Sequence, residues 1–155
     1  MKTRFYAMMV LVLSLPVTSF AQSEETEPSL ADLLEDEKME SAFDNMVGDT
    51  DLPEWIKSGA VTSPGQRVSF DGKEYLAMTG CEQHRCGAHK IAVLYDEQSG
   101  TMYGLLTDSE EDSGSEVLTW LNIGGGPESI DGKTLLFAAT TGSIENHPQD
   151  FQYVQ

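Results

Sequence analysis

The sequence is poor in cysteine and in basic residues, and each scarcity excludes a class of protein. Two cysteines among 155 residues are too few for a fold held together by dense disulfide cross-linking. Nine Lys and Arg residues are outnumbered by 26 Asp and Glu residues, which gives a net charge of −17. A surface of this sign binds nucleic acid and anionic lipid poorly, so neither is expected as a partner.

The sequence also lacks an apolar run of the roughly 20 residues that a membrane-spanning helix requires. An apolar run at residues 5–15 follows Lys2 and Arg4 and precedes small residues at 19–21, the arrangement of a cleaved secretory signal. We therefore predict a signal peptide at 1–21, a flexible acidic N-terminus at 22–28 and a single domain at 29–155.

Export changes the charge balance further. Removal of the signal leaves 7 basic and 26 acidic residues, a net charge of −19. A cationic protein is a partner that such a charge favours, because opposite fields accelerate encounter and orient docking. The same charge also suits solubility or a salt-rich habitat, and composition alone does not separate these uses.

Helical patterns come first in the chain and strand patterns follow. A capping-box-like pair, Ser29 and Asp32, precedes apolar residues at helical spacing, which predicts one amphipathic helix up to Gly48. A short second helix is predicted to begin at Pro53 and to end at Gly59.

From residue 66 onward the pattern is that of β-strands, with Asp71-Gly72 as a hairpin turn. The β-rich runs lie at 66–70, 75–78, 91–95, 101–106, 117–121 and 134–139. The order predicts an α+β fold, in which an antiparallel sheet of about five strands packs helices on one face.

Several segments lack the patterns of catalytic or ligand-binding loops. The acidic segment 108–116 does not have the ligand spacing of a calcium loop and is interpreted as a solvated hairpin end. The glycines at 124–126 are not followed by Lys-Ser/Thr, so phosphate binding is not expected. No serine lies in a nucleophile-elbow pattern. We expect neither enzymatic activity nor a metal or cofactor.

Both cysteines lie in one six-residue segment, whose members are Cys81, Glu82, Gln83, His84, Arg85 and Cys86. Thiols of exported proteins are normally oxidised, so Cys81 and Cys86 are expected to form a disulfide. The small ring would hold His84 out at the tip of a stiff, protruding loop. Such a loop suits insertion into the cleft of another protein.

Other interpretations of this segment remain open. Cys81, His84, Cys86 and His89 carry the ligand atoms of a zinc site, although their spacing differs from common finger and ribbon patterns. Thioredoxin-like redox chemistry uses two residues between the cysteines, and this segment has four. An ordinary stapled turn with an exposed histidine is as compatible with the composition as a binding loop.

Five segments carry a resemblance to a known family and span nearly all of the predicted mature domain. They are Leu-Pro-Glu-Trp at 52–55, Cys-x-x-His-x-Cys at 81–86, Ile-Ala-Val-Leu at 91–94, Leu-Thr-Trp-Leu-Asn at 118–122, and 129–139 with 141–148. In this order they resemble the Ivy family, the periplasmic inhibitors of vertebrate lysozyme of Gram-negative bacteria.

The resemblance implies a periplasmic α+β protein, usually a homodimer, whose disulfide loop enters the active-site cleft of a C-type lysozyme. His84 would then meet the catalytic carboxyl groups, one a protonated glutamic acid and the other an ionised aspartate. An imidazole can form hydrogen bonds with both groups. Lysozymes of this type are strongly cationic, which would give the negative charge a use in capture.

The loop departs from the family pattern, which commonly has Asp after the histidine and Lys-Pro before it. Here Arg85 follows His84, and its guanidinium could pair directly with a carboxylate of the enzyme. Two alternatives are control of the bacterium's own lytic transglycosylases and a non-inhibitory binding homologue. His89 lies close enough to buttress the loop, and His147 fits a structural turn. Neither is expected to be the inhibitory residue.

Overall fold

The computed structural model describes residues 26–110, 113–126 and 128–152, and in them a six-stranded antiparallel sheet lies between two layers of helices. The strands are β1 (Ala60–Thr62), β2 (Gln66–Phe70), β3 (Lys73–Glu82), β4 (His89–Asp96), β5 (Thr101–Glu110) and β6 (Ser115–Leu121). The α-helices are α1 (Leu30–Leu33), α2 (Glu37–Val47), α3 (Glu128–Thr140) and α4 (Ser143–Asn146). Short 3-10 helices occupy Glu54–Ile56 and Pro148–Phe151.

The sheet is built around β3, β4 and β5, which pair in sequence order, with β6 on the far side of β5. β1 and β2 both pair with β3, β1 opposite residues 80–82 and β2 opposite residues 73–77. The connection between β3 and β4 is the segment that contains both cysteines. This loop therefore emerges from the middle of the sheet.

Alternation along the strands produces two hydrophobic cores, one on each face. On the first face α1, α2 and the helix at Glu54–Ile56 pack on the sheet through Leu30, Leu33, Phe43, Met46 and Ile56 against Met78, Ile91 and Val93. On the second face α3 and α4 pack through Leu135, Leu136, Ala139 and Ile144 against Phe70, Ala92 and Leu94. Full burial of one such side chain contributes roughly 1.5–3 kcal/mol.

The predicted α+β class and antiparallel sheet are confirmed, but the helices lie on both faces of the sheet rather than on one. The difference arises at residues 134–139, where the predicted strand is wrong because the segment belongs to α3. Leu135, Leu136 and Ala139 are buried while Thr134 and Phe137 are exposed, which is helical spacing. A short apolar run is compatible with either structure when it is considered by its periodicity alone.

The second face also has a glycine that lets helix and sheet approach closely. A Cβ at Gly132 of α3 would lie 2.7 Å from the Ile123 side chain and 3.4 Å from the Phe70 ring. The absence of a side chain at Gly132 therefore allows α3 to lie directly on this core.

The predicted single helix at 29–48 is two helices. The capping box is confirmed, since the Asp32 carboxylate accepts the Ser29 N–H at 2.8 Å and the Ser29 hydroxyl accepts the Asp32 N–H at 3.4 Å. Asp36 then caps α2 by accepting the N–H groups of Lys38 and Met39, each at 3.0 Å. A second cap inside the apolar pattern starts a new helix, which the spacing of apolar residues does not reveal.

The hairpin predictions are confirmed. Asp71 and Gly72 have φ values of 52° and 67°, as a two-residue hairpin turn requires, and Phe70 pairs with Lys73 across it. The predicted strands at 91–95, 101–106 and 117–121 lie within β4, β5 and β6.

Some predictions fall on residues outside the described ranges. The predicted signal peptide at 1–21 is among them, and so are residues 111 and 112 of the acidic segment 108–116. None of the helices in the described ranges is long and apolar enough to cross a membrane.

A buried carboxylate closes the turn between β4 and β5. Asp96 is 3% exposed, and its carboxylate accepts hydrogen bonds from Gln98 N at 2.9 Å, Ser99 N at 3.1 Å and Ser99 Oγ at 2.7 Å. Burial alone would raise the Asp96 pKa, but these hydrogen bonds and the charge of Lys73 outweigh it and hold the pKa below its usual value. Asp96 therefore stabilises the fold above about pH 4, and this contribution is lost as the pH falls through its lowered pKa.

We predict that Asp96→Asn lowers the free energy of unfolding at about pH 7 by roughly 1–3 kcal/mol, because an amide cannot replace all three charge-assisted hydrogen bonds. The difference from wild type should be smaller at about pH 3, because the contribution of this carboxylate declines as the pH falls below the unfolded-state value of about 3.9 toward its lowered pKa. Urea denaturation at both pH values measures this. Asp71→Asn is the control, since this exposed carboxylate lies in a turn that asparagine also tolerates. Equal losses in both variants would contradict the assignment to Asp96.

Candidate functional site

The loop between β3 and β4 is closed by the predicted disulfide, which is confirmed. Cys81 lies near the end of β3 and Cys86 in the following turn, with their Cα atoms 4.8 Å apart. Both sulfur atoms are used in this bond, so neither cysteine is available as a zinc-binding thiolate or as a nucleophile. The disulfide therefore leaves no thiolate for the zinc and nucleophile interpretations.

The tip of the loop is open to solvent. Gln83, His84 and Arg85 are exposed, whereas Glu82 is half-buried. Elsewhere in the described part of the chain, no group forms a hydrogen bond or an ion pair with the His84 imidazole. The ring of His84 is thus free to interact with another molecule.

The backbone of His84 has a φ of 68°, in the left-handed region. This conformation costs a residue other than glycine on the order of 1 kcal/mol, although histidine adopts it more often than most side chains. Backbone strain of this kind persists where surrounding bonds hold the chain in place, and it is common at binding sites. Here the disulfide and the loop's own hydrogen bonds are those surrounding bonds.

Backbone hydrogen bonds fasten both sides of the loop. The Arg85 N–H donates to Glu82 O at 2.9 Å, and Arg85 O accepts the N–H groups of Ala88 at 2.9 Å and His89 at 3.0 Å. Ala88 O in turn accepts the Ser109 N–H of β5 at 3.0 Å. The loop is therefore attached to β5 as well as to the two strands that it connects.

At the base of the loop, three ionisable side chains form a row across adjacent strands. His89 of β4 pairs with Asp108 of β5, and the register of Cys81 with Lys90 places Glu82 of β3 on its other side. The His89 Nδ1 contacts a Glu82 carboxylate oxygen, and its Nε2 lies 3.2 Å from Asp108 Oδ1. We name these three residues the carboxylate–histidine row.

The carboxylate–histidine row also borders a recess on the same face of the sheet. A cavity of about 230 Å³ is lined by Glu82, His89 and Asp108 together with Pro53, Trp55, Leu106 and Thr107. Trp55 and Leu106 belong to the edge of the first core, so the row lies where this core gives way to solvent. The loop thus has a polar base that rests against the main body of the domain.

Sequence reasoning placed His89 near the loop but did not identify Asp108. A signal for the contact was available, because strands on either side of a tight loop place residues at equal distances from it opposite one another. The pairing of His89 with Asp108 requires in addition the register between β4 and β5. His147 is confirmed in a turn, where its N–H donates to Ser143 O at 2.9 Å.

Comparison with known proteins relates the chain to one family. The sequence matches the family model described as Inhibitor of vertebrate lysozyme (Ivy) over residues 38–136, which include the loop and all six strands. Proteins named "Inhibitor of vertebrate lysozyme" from Escherichia coli K12 and O157:H7 are each 41% identical to it over 144 residues, 93% of this chain and 89% of theirs. One from Pseudomonas aeruginosa is 30% identical over 100 residues, 63% of this chain and 64% of its own.

The disulfide predicts the thiol content of the purified protein. Unfolded without reductant, the protein should show no thiol that reacts with Ellman's reagent, because Cys81 and Cys86 are bonded to each other. After reduction, both cysteines should react. Two reactive thiols before reduction, in protein purified from the exported fraction, would contradict a closed ring and would restore the zinc interpretation.

Proposed function

The chain belongs to the inhibitor of vertebrate lysozyme (Ivy) family, and we propose that it inhibits C-type lysozyme by inserting the loop 81–86 into the active-site cleft. His84 is the main contact with the catalytic carboxyl groups in this proposal, and the protein has no catalytic activity of its own. Export to the periplasm and assembly as a homodimer are part of the proposal. Export is supported by the signal-like N-terminus, and the homodimer by the family resemblance.

The observation that carries the proposal is the state of His84 at the tip of the ring. Its side chain is exposed, it has no partner within the described residues, and its backbone is held in a left-handed conformation. A loop that is ordered before binding loses little conformational freedom on docking. The geometry therefore suits a preformed plug better than a flexible segment that folds on binding.

The chemistry of an imidazole matches the two carboxyl groups of such a cleft. A neutral imidazole has one N–H donor and one nitrogen acceptor. The cleft of a C-type lysozyme contains one protonated and one ionised carboxyl group, roughly 5 Å apart in a retaining glycosidase. His84 can accept a hydrogen bond from the first and donate one to the second, and its ring then occupies the space of the scissile sugar linkage.

Charge supports the same partner at longer range. The predicted mature chain has a net charge of −19, and a cationic enzyme is attracted to it before contact. Arg85 is an exception at the tip, since its Nη1 lies 3.8 Å from the Glu82 carboxylate and half of its side chain is exposed. Within the cleft, this guanidinium is in a position to pair with a carboxylate beside the one that His84 contacts.

Replacement of His84 tests the contact directly. We predict that His84→Asn weakens lysozyme inhibition by about 1–4 kcal/mol, or about 5-fold to 1000-fold in the inhibition constant, because asparagine tolerates the left-handed backbone but lacks the imidazole. Cell-wall lysis assays with a C-type lysozyme measure this constant. His147→Asn is the matched control, since this exposed histidine lies in the turn after α4. If the two variants inhibit as well as wild type, the binding energy lies outside His84.

Electrostatic capture predicts a dependence on salt. Raising the NaCl concentration from about 50 mM to about 500 mM should reduce the association rate constant with lysozyme far more than it changes the dissociation rate constant. Surface plasmon resonance or stopped-flow fluorescence resolves the two constants, and a lysozyme without inhibitor serves as the reference. An association rate constant that is insensitive to salt would mean that the net charge serves another purpose, such as solubility.

A further inference from the structure

His89 is held between two carboxylates at the base of the loop. Its side chain is 17% exposed, and both ring nitrogens face carboxylate oxygens, Nδ1 facing Glu82 and Nε2 facing Asp108. The two carboxylates belong to different strands on opposite sides of β4. The ring therefore bridges from the loop-bearing end of β3 to β5.

This geometry depends on the protonation of His89. An ionised carboxylate only accepts hydrogen bonds, and a neutral imidazole has a single N–H to donate. With a neutral ring, one nitrogen lone pair would face a carboxylate oxygen, which is repulsive. An imidazolium donates to both oxygens and also neutralises part of the repulsion between Glu82 and Asp108.

The bridge acts on the loop through Glu82, which is part of the disulfide ring and lies two residues before His84. The Glu82 carbonyl oxygen also accepts the Arg85 N–H at 2.9 Å. A restraint on Glu82 therefore also restrains Arg85, on the other side of His84. On the other side of the bridge, Asp108 lies in β5, which pairs with β4 from Thr101 to Asp108. One end of the bridge is therefore in the loop and the other in the rigid body of the sheet.

Among the described residues, the fixed positive charge within ion-pair distance of the carboxylate–histidine row is the guanidinium of Arg85, 3.8 Å from Glu82. Pro53 and Trp55 also line the adjoining recess, and neither side chain is charged. Arg85 can compensate Glu82 in part, but it does not reach Asp108 in the structure. His89 is thus the side chain whose two ring nitrogens reach both carboxylates.

From these contacts we propose that His89 is a positioning residue of the inhibitory loop: its protonated ring fastens Glu82 to Asp108 and holds His84 in the docking conformation. Inhibition then weakens when this ring carries no charge. The part of this inference that concerns inhibition rests on the proposed function, whereas the part that concerns loop order applies to the free protein.

The inhibition experiment compares wild type with His89→Gln, which retains one hydrogen-bond donor but carries no charge. Histidine side chains change charge near neutral pH, so the inhibition constants are measured at about pH 5.5 and about pH 8. We expect the inhibition constant of His89→Gln to be about 10-fold larger than that of wild type at the lower pH, a loss on the order of one hydrogen bond between charged groups. At the higher pH the two inhibition constants should be nearly equal. Any pH dependence that comes from lysozyme or from the rest of the inhibitor is common to both proteins and cancels in the ratio. A ratio that does not change with pH would overturn the inference.

Two carboxylate variants separate the bridge from net charge. Asp108→Asn removes one arm of the bridge, and Glu110→Gln removes an equal charge two residues further along the same strand. We expect Asp108→Asn to weaken inhibition at the lower pH and Glu110→Gln to leave it unchanged. Equal effects of the two variants would assign the result to overall charge and would contradict the bridge.

Amide hydrogen exchange in the free protein provides a readout that does not involve lysozyme. The Arg85 and Ala88 amides, which form the loop's own hydrogen bonds, should lose protection in wild type between the lower and the higher pH. In His89→Gln these two amides should be weakly protected at both pH values. If wild type fails to inhibit lysozyme but shows this pattern, the proposed function is wrong and the positioning role of His89 stands. Equal protection in both proteins at both pH values would overturn the positioning role itself.

Discussion

The antiparallel pairing of β3 with β4 runs from Leu76 opposite Tyr95 to Cys81 opposite Lys90. The disulfide loop connects the two strands directly after this last pair. Because successive side chains of a strand point to opposite faces, the same register assigns residues to the two cores and to the base of the loop. A shift of one residue would exchange the faces of every side chain on β4. The loop, the carboxylate–histidine row and both cores therefore depend on one antiparallel register.

The loop combines two kinds of restraint that act at different points. The disulfide joins the ends of the ring and limits how far Cys81 and Cys86 can separate. It does not determine which way the ring leans against the sheet. The contacts of Glu82 through His89 to Asp108 restrain this orientation, since they connect the disulfide ring to β5. The proposed insertion into a cleft would benefit from both restraints, because a closed ring that pivots still loses orientational freedom on binding.

Local signals with a specific stereochemical cause predicted local structure well. Asp71-Gly72 indicated a two-residue turn because both positions need positive φ, and Ser29 with Asp32 indicated a helix start because their side chains satisfy free N–H groups. Patterns defined by hydrophobicity alone were less reliable. The run at 134–139 has apolar residues at nearly every position, and its assignment to a helix depends on the face of the sheet that it covers.

The sequence by itself predicted the disulfide, the exposed histidine between the two cysteines and the succession of strands around them, because each is signalled by residues that are close together in the chain. Only the tertiary structure decided that helices cover both faces of the sheet and that His89 lies between Glu82 and Asp108. The physical reason is the register of three strands, which depends on how both faces of the sheet are buried. Asp108 lies 19 residues beyond His89 in the chain, and pairing across β4 and β5 brings it into contact.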